Sequence, residues 1–182
     1  MSMVMFRKVF PELAVNEIRF ITLEKPFLIG DITVPADEYG FEELYCVEAG
    51  CDCRRVIFLV FARDQRTQVA TISHSFEPPE SGDFLDEQTF LDPLNRQAKY
   101  AAGLLAIFMN VVLLDSVYCK RLERHYTLFK AAINDPKNPA HHLLQEPYAV
   151  EREKDEFDDL KEKYVSWRIR QRLKERKKGR RK

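Results

Sequence analysis

Three of the four cysteines in this 182-residue chain fall within eight residues. They are Cys46, Cys51 and Cys53, in the run Tyr45-Cys46-Val47-Glu48-Ala49-Gly50-Cys51-Asp52-Cys53-Arg54-Arg55. Thiols clustered in this way, between two strand-like stretches, have the composition of a zinc site. Zinc favours four soft or borderline ligands in a tetrahedron, and a tight loop presents thiolates without the cost of closing a long chain segment. Cys46 would end one strand, Gly50 would let the chain reverse, and Cys51 and Cys53 would open the next. Arg54 and Arg55 are placed to offset thiolate charge. The C-x4-C-x-C spacing is not the C-x2-C of zinc ribbons, and three reduced cysteines at a strand turn are the plain alternative.

Three thiolates leave a fourth ligand to be found, and three side chains compete for the position. His125 comes first, because it falls on the apolar stripe of a helix that must pack on the strands. His74 comes second, because a hairpin turning near Gln65 pairs residue 56 with about residue 74. Cys119, at the border of the helical stripe, comes third. Each also has an ordinary role open to it, a hydrogen-bonded core histidine or a small buried thiol. His141 and His142 are expected on a short exposed helix without metal. With four protein ligands the site would be structural and would contribute folding free energy directly. With one position open to water it would activate that water for hydrolysis, with Asp52 or Glu48 as base. A thiol-redox reading would use Cys51 and Cys53 as a pair activated by the adjacent arginines.

The elements that must position these groups divide the chain in two. Residues 15–62 alternate like strands, with a first strand at 15–23, turns at Ile29-Gly30-Asp31 and Pro35-Ala36-Asp37, and a run at 41–47 that ends in the cysteine loop. Residues 55–62 (RVIFLVFA) are apolar on both faces, as in a central strand. After a turn at Asp64-Gln65-Arg66-Thr67, residues 68–76 return antiparallel, with Ala70, Ile72, His74 and Phe76 on one face. Residues 77–92 read as a polar, acidic loop.

The period then changes. Asp92-Pro93 reads as a helix start, and the helix is expected to run to about Leu114, apolar all round and therefore central. Asp115-Ser116 caps a second helix, on which Tyr118, Leu122, His125, Tyr126, Phe129, Ala132 and Ile133 form one stripe. Asn138-Pro139 opens a short helix to Gln145. The predicted architecture is α+β: an N-terminal antiparallel sheet packed by C-terminal helices over residues 1–150, followed by a charged helix with a basic tail over 151–182.

Net charge is zero, but residues 161–182 carry twelve Lys or Arg against Glu162 and Glu175, a net of +10, so the preceding 160 residues carry −10. Such a split fits a tail that contacts nucleic acid or the ribosome, with Tyr164 and Trp167 interleaved for stacking, and equally a solvated tail. Arg7 and Lys8 run into Pro11 and Glu12, so no secretory signal is expected. The apolar stretch 101–114 is too short to span a bilayer, and clustered reduced cysteines fit a cytoplasmic protein without membrane attachment. The phosphate-binding glycine loops, the nucleophile elbow and the H-E-x-x-H zinc motif are all absent.

The stretch Tyr45-Cys46, then Cys51-Asp52-Cys53-Arg54-Arg55-Val56, resembles a motif of small uncharacterised bacterial proteins. The resemblance covers this central motif alone. It implies a bacterial origin and a shared metal-binding role for the cysteines, and brings no activity with it. The reading is a zinc-stabilised binding or adaptor module that contacts nucleic acid or an acidic partner through its basic end. The alternative is a metal-dependent hydrolase or thiol-redox enzyme using the cysteine loop.

Overall fold

A computed structural model describes residues 2–51, 53–78 and 87–145. In chain order these form β1 (Met3–Met5), α1 (Phe6–Val9), α2 (Pro11–Glu17), β2 (Arg19–Leu23), β3 (Phe27–Ile29), β4 (Ile32–Val34), β5 (Asp37–Cys46), β6 (Arg55–Ala62), β7 (Thr67–Ser75), β8 (Thr89–Leu91), α3 (Ala101–Ile107) and α4 (Ser116–Asn134). A 3-10 turn follows at His141–Gln145. The architecture is α+β. Six strands make one antiparallel sheet in the order β1-β5-β6-β7-β8, with β2 also paired to β5, and β3 and β4 form a separate hairpin. The basic segment 161–182 and the charged helix expected from 151 lie outside the described residues.

Strand β5 organises the sheet. Its outer edge takes β2 along Asp37 to Phe41 and β1 along Leu44 to Cys46, so Glu42 and Glu43 fall in the gap between the two. Side chains alternate across a strand, and Tyr39, Phe41 and Tyr45 of β5 join Val56, Phe58, Val60 and Ala62 of β6 on the face that packs against Leu104, Phe108, Leu122 and Phe129. Phe108 closes this core, its ring 5.4 Å from Phe41 and 4.8 Å from Phe58. The other sheet face carries a smaller buried cluster of Met5, Leu44 and Leu59. The expected apolarity of β6 on both faces is accounted for by these two clusters.

Several sequence expectations need correction. The first strand does not begin at Val15. Pro11 sits at the start of α2, where its missing N–H costs nothing, and the helix occupies residues through Glu17 before β2 starts at Arg19. Nor does a helix begin at Asp92. Its carboxylate accepts the N–H of Leu94 at 2.7 Å, so the cap-like pair Asp92-Pro93 closes a local turn. Gln97 then binds both the N–H and the carbonyl of Thr71 at 3.0 Å, which ties this segment to the edge of β7 in place of a helical turn. The helix is delayed to Ala101. It passes into a π-helical turn at Phe108–Val112 and leaves Met109, Val111 and Leu114 exposed, so it is not buried all round. Strand β8 occupies the end of what reads as a loop.

Two expectations are met closely. Asp115 caps α4 by accepting the N–H groups of Val117 and Tyr118, and the buried residues of α4 are Tyr118, Leu122, His125, Phe129, Ala132 and Ile133. Val56 pairs with His74 in the β6–β7 hairpin, with a bulge at Val60/Phe61 that places both Val69 and Ala70 in the core. Helix α3 packs closely on the β3–β4 hairpin at Gly103, where a Cβ would lie 2.5 Å from Val34 Cγ2.

The β6–β7 turn is tied to β5 by one buried acid. The Asp37 carboxylate accepts the N–H groups of Glu38 at 2.8 Å and Asp64 at 2.9 Å, and the Gln65 side chain at 3.4 Å. Burial opposes its ionisation, but the donors from Asp64, Glu38 and Gln65 outweigh burial and hold the carboxyl below its usual value. A depressed folded-state pKa contributes stability that is present above the ordinary carboxylate range and is lost as pH falls through the folded value. Asp37→Ala is therefore expected to cost roughly 2 kcal/mol at neutral pH. Urea unfolding should show the gap to wild type closing in acid, and a gap independent of pH would contradict this role.

Candidate metal centre

The cysteine loop joins the end of β5 to the start of β6. Cys46, 2% exposed, is held in register against Met3, and Val47 N–H donates to the Ser2 carbonyl at 3.0 Å. The chain then leaves the sheet. Gly50 has φ +73°, a left-handed conformation that glycine adopts without strain, and Cys51 N–H closes a turn onto the Glu48 carbonyl at 3.2 Å. Cys53 N–H reaches Cys51 Sγ at 3.5 Å, so the loop curls its sulfur inward. The sheet resumes where Phe76 N–H donates to the Arg54 carbonyl at 2.9 Å.

This path brings Cys46, Cys51 and Cys53 together, with their sulfur atoms all within 4.8 Å of one another. Metal–sulfur bonds of about 2.3 Å in a tetrahedron place sulfurs roughly 3.8 Å apart, so at most a small closure is needed to hold one ion. Cys46 is buried, and Cys51 and Cys53 are half-buried. Contact with the Cys53 thiol is the chief influence holding Cys51 below its ordinary pKa. The Cys53 N–H, contact with Cys46 and the Lys130 ammonium add to it, against some burial. Burial, then the neighbouring Cys51 and Cys46 sulfurs, push Cys53 up to about 12. The trio therefore gives up its protons in unequal steps, and a metal ion binding all three sulfurs would have to displace the ones that remain.

Among the described residues Lys130 is a cation that meets this loop, and the sequence did not single it out. Its Nζ donates to the Cys51 carbonyl at 2.8 Å and lies 5.5 Å from the Tyr126 ring centroid. The expected arginines are engaged elsewhere. Arg54 pairs with Glu77, and Arg55 donates to Ser73 Oγ at 2.9 Å and stacks over Phe90. Glu48, considered as a base, accepts Ser2 N–H at 3.1 Å, and Asp52 lies outside the described residues.

None of the three candidate fourth ligands joins the thiols, and among the described residues the group has no fourth member. His125 has both ring nitrogens occupied: Nδ1 lies 2.8 Å from Glu43 Oε2 and Nε2 lies 2.6 Å from Glu17 Oε2. The expectation that burial on α4 made it a ligand is corrected, because its burial is explained by two carboxylates and by Phe6 stacked 3.9 Å away. His74 sits in the expected register, but its Nδ1 is 2.8 Å from Thr89 Oγ1. Burial, then the charge of Arg55, push its pKa down to about 4, so it is a neutral, half-buried histidine at the edge of the core. Cys119 gives its S–H to the Leu113 carbonyl at 3.3 Å. It is eleven residues from Lys130, or roughly 16 Å along the helix axis. His142 is exposed as expected, whereas His141 is half-buried with Nδ1 2.8 Å from the Ala132 carbonyl.

The carboxylate–imidazole–carboxylate clamp is the second chemical feature, and it went unread in the sequence. A signal for it was present, since Glu43 shares a strand face with Phe41 and Tyr45 and so had to meet a partner in the core. Glu43 also accepts the Tyr45 hydroxyl at 2.8 Å. The ring thus meets a carboxyl group on each side, one from β5 and one from the end of α2. Glu17, the last residue of α2, also pairs with Arg124, while Arg121 donates to its carbonyl at 3.0 Å. The Arg124 contact first, with His125 adding to it against some burial, holds Glu17 below the usual carboxylate value. The space beside the ring is about 20 Å³, room for roughly one water, so the clamp is a tie between the N-terminal segment and α4 and not a substrate site.

No protein-family model, curated protein or solved structure matches this chain. No single helix among the described residues is long and apolar enough to cross a membrane.

Replacing His125 by Ala would leave Glu43 and Glu17 without their shared partner and empty the space under Phe6. Loss of a buried ring together with the hydrogen bonds it makes costs roughly 3–5 kcal/mol. Denaturant titration is expected to show that loss, and a change below 1 kcal/mol would remove the clamp from the account of stability.

Proposed function

We propose that this protein is a metal-binding module in which Cys46, Cys51 and Cys53 hold a zinc ion. The observation that carries the reading is the convergence of the three sulfurs at the β5–β6 turn. Sulfur donors suit zinc, and the adjacent Lys130 ammonium offsets part of the negative charge that three thiolates place on a divalent ion. Holding Cys46 at a strand end and the other two on the loop, the ion would fix the turn. Through the Lys130 contact with the Cys51 carbonyl it would also steady the loop against α4.

Elemental analysis of the purified protein is expected to give one zinc per chain. Cys51→Ser should lose it, whereas His125→Ala should retain it, since that ring is bound to Glu17 and Glu43. A zinc-free wild type would end the metal reading.

The module's partner is proposed to be nucleic acid, contacted through residues 161–182. The support is the sequence itself, twelve basic side chains and two acids at one end of a chain whose remaining residues are net acidic. Each basic group meeting a phosphate steepens the fall of log affinity with log salt by roughly 0.7–0.9. Filter binding to single-stranded RNA should show such a slope in the full chain. Deletion of 161–182 should abolish it, and equal binding by the two chains would refute the assignment.

A further inference from the structure

We propose that the three-thiol group is an oxidation-sensitive release device, in which a hydroperoxide joins Cys51 to Cys53 and discharges the metal. The proposal rests on the metal reading above and adds the regulation of that site. Its first support is the unequal setting of the three sulfurs. Cys46 is 2% exposed and locked in the β1–β5 ladder, whereas Cys51 and Cys53 are half-buried on a loop outside the ladder. The preceding loop residues Glu48, Ala49 and Gly50 are exposed, so a small oxidant can approach from that side. The second support is mutual contact. Cys53 N–H already lies 3.5 Å from Cys51 Sγ, and the two sulfurs are within 4.8 Å, so a disulfide, which closes a small strained ring across one intervening residue, forms by a rearrangement confined to this loop.

The chemistry balances in two steps. A metal-bound Cys51 thiolate attacks the peroxide O–O bond, giving a sulfenic acid and releasing hydroxide (an alkoxide, for an organic hydroperoxide). The Cys53 thiolate then attacks the Cys51 sulfur, forming the S–S bond and expelling a second hydroxide. Two thiolates lose two electrons, the peroxide gains them, and zinc, itself unchanged in oxidation state, loses two of its three sulfur ligands. Cys46 alone cannot retain the ion. A pair only two residues apart on a partly exposed loop is also open to attack by an external thiol, which would restore the site.

Cys119 provides an internal control. It is bonded to the Leu113 carbonyl and belongs to another part of the molecule. The test adds one equivalent of hydrogen peroxide to the reduced, zinc-loaded full chain. Zinc release is followed with a chromogenic chelator, and disulfides are mapped by mass spectrometry. One zinc released per chain, a Cys51–Cys53 disulfide, intact Cys119, and recovery on adding dithiothreitol with zinc are expected. Cys53→Ser should fail to form the bond and should carry Cys51 on to higher oxidation states. Zinc present at the start but retained after peroxide, or a disulfide linking other cysteines, would overturn the proposal while leaving the metal reading standing. A reduced protein that never held zinc would defeat the metal reading, and this proposal with it.

Discussion

A carboxyl group cannot lie on the apolar face of a sheet without a hydrogen-bond partner, and Glu43 meets His125 there. The contact is 2.8 Å long, and His125 is 1% exposed while Glu43 is 5% exposed. Much else follows from it. It fixes the rotation of α4 about its axis, since the ring must face β5 between Phe6 and the strand. It also fixes the N-terminal segment, because the far nitrogen of the same ring holds Glu17 at the end of α2. The excursion of α1 and α2 leaves the sheet at Met5 and returns at Arg19, spanning the gap beside Glu42 and Glu43 where β5 has no edge partner. One imidazole thus joins strand, helix and N-terminal segment.

The cysteine group begins three residues further along the same strand, at Cys46, and depends on the same packing. With α4 set by the clamp, Lys130 reaches the loop at the Cys51 carbonyl, five residues beyond His125. The thiol site and the clamp are therefore separate chemistries on one helix-and-strand frame. One is buried, bonded on every side and too small for a ligand. The other is half-buried, with three soft donors turned toward one another. That contrast is why a binding role is assigned to the cysteines, and why His125, the more deeply buried group, is given a structural one.

Periodicity was a good guide wherever a residue's environment was set by its own segment. The stripe on α4, the Asp115 cap, the strand Arg55–Ala62 and the pairing of Val56 with His74 were all legible, because side-chain alternation and helical spacing are local facts. The failures share a cause. Asp92-Pro93 has the chemistry of a helix cap, yet Gln97 binds the edge of β7 and delays the helix to Ala101. Residues 15–17 could have begun a strand, but they end α2, where Glu17 is drawn to Arg124 and His125. In both places a contact between residues distant in sequence overrode a short-range preference.

The same division applies to the candidate site. By itself the sequence determined that three thiols gather at one turn between two strands, Cys46 at a strand end and Cys51 and Cys53 on the loop, because spacings of five and two residues around Gly50 keep them close. It also determined that His125 would be buried, from its place on an amphipathic stripe. Only the tertiary structure decided what that burial was for. Whether a buried imidazole meets thiols or carboxylates depends on which strand end lies under its helix turn, and that is set by packing across the sheet. The three-dimensional arrangement gave the ring to Glu43 and Glu17, gave the cysteine loop to Lys130, and among the described residues left the thiols as a group of three.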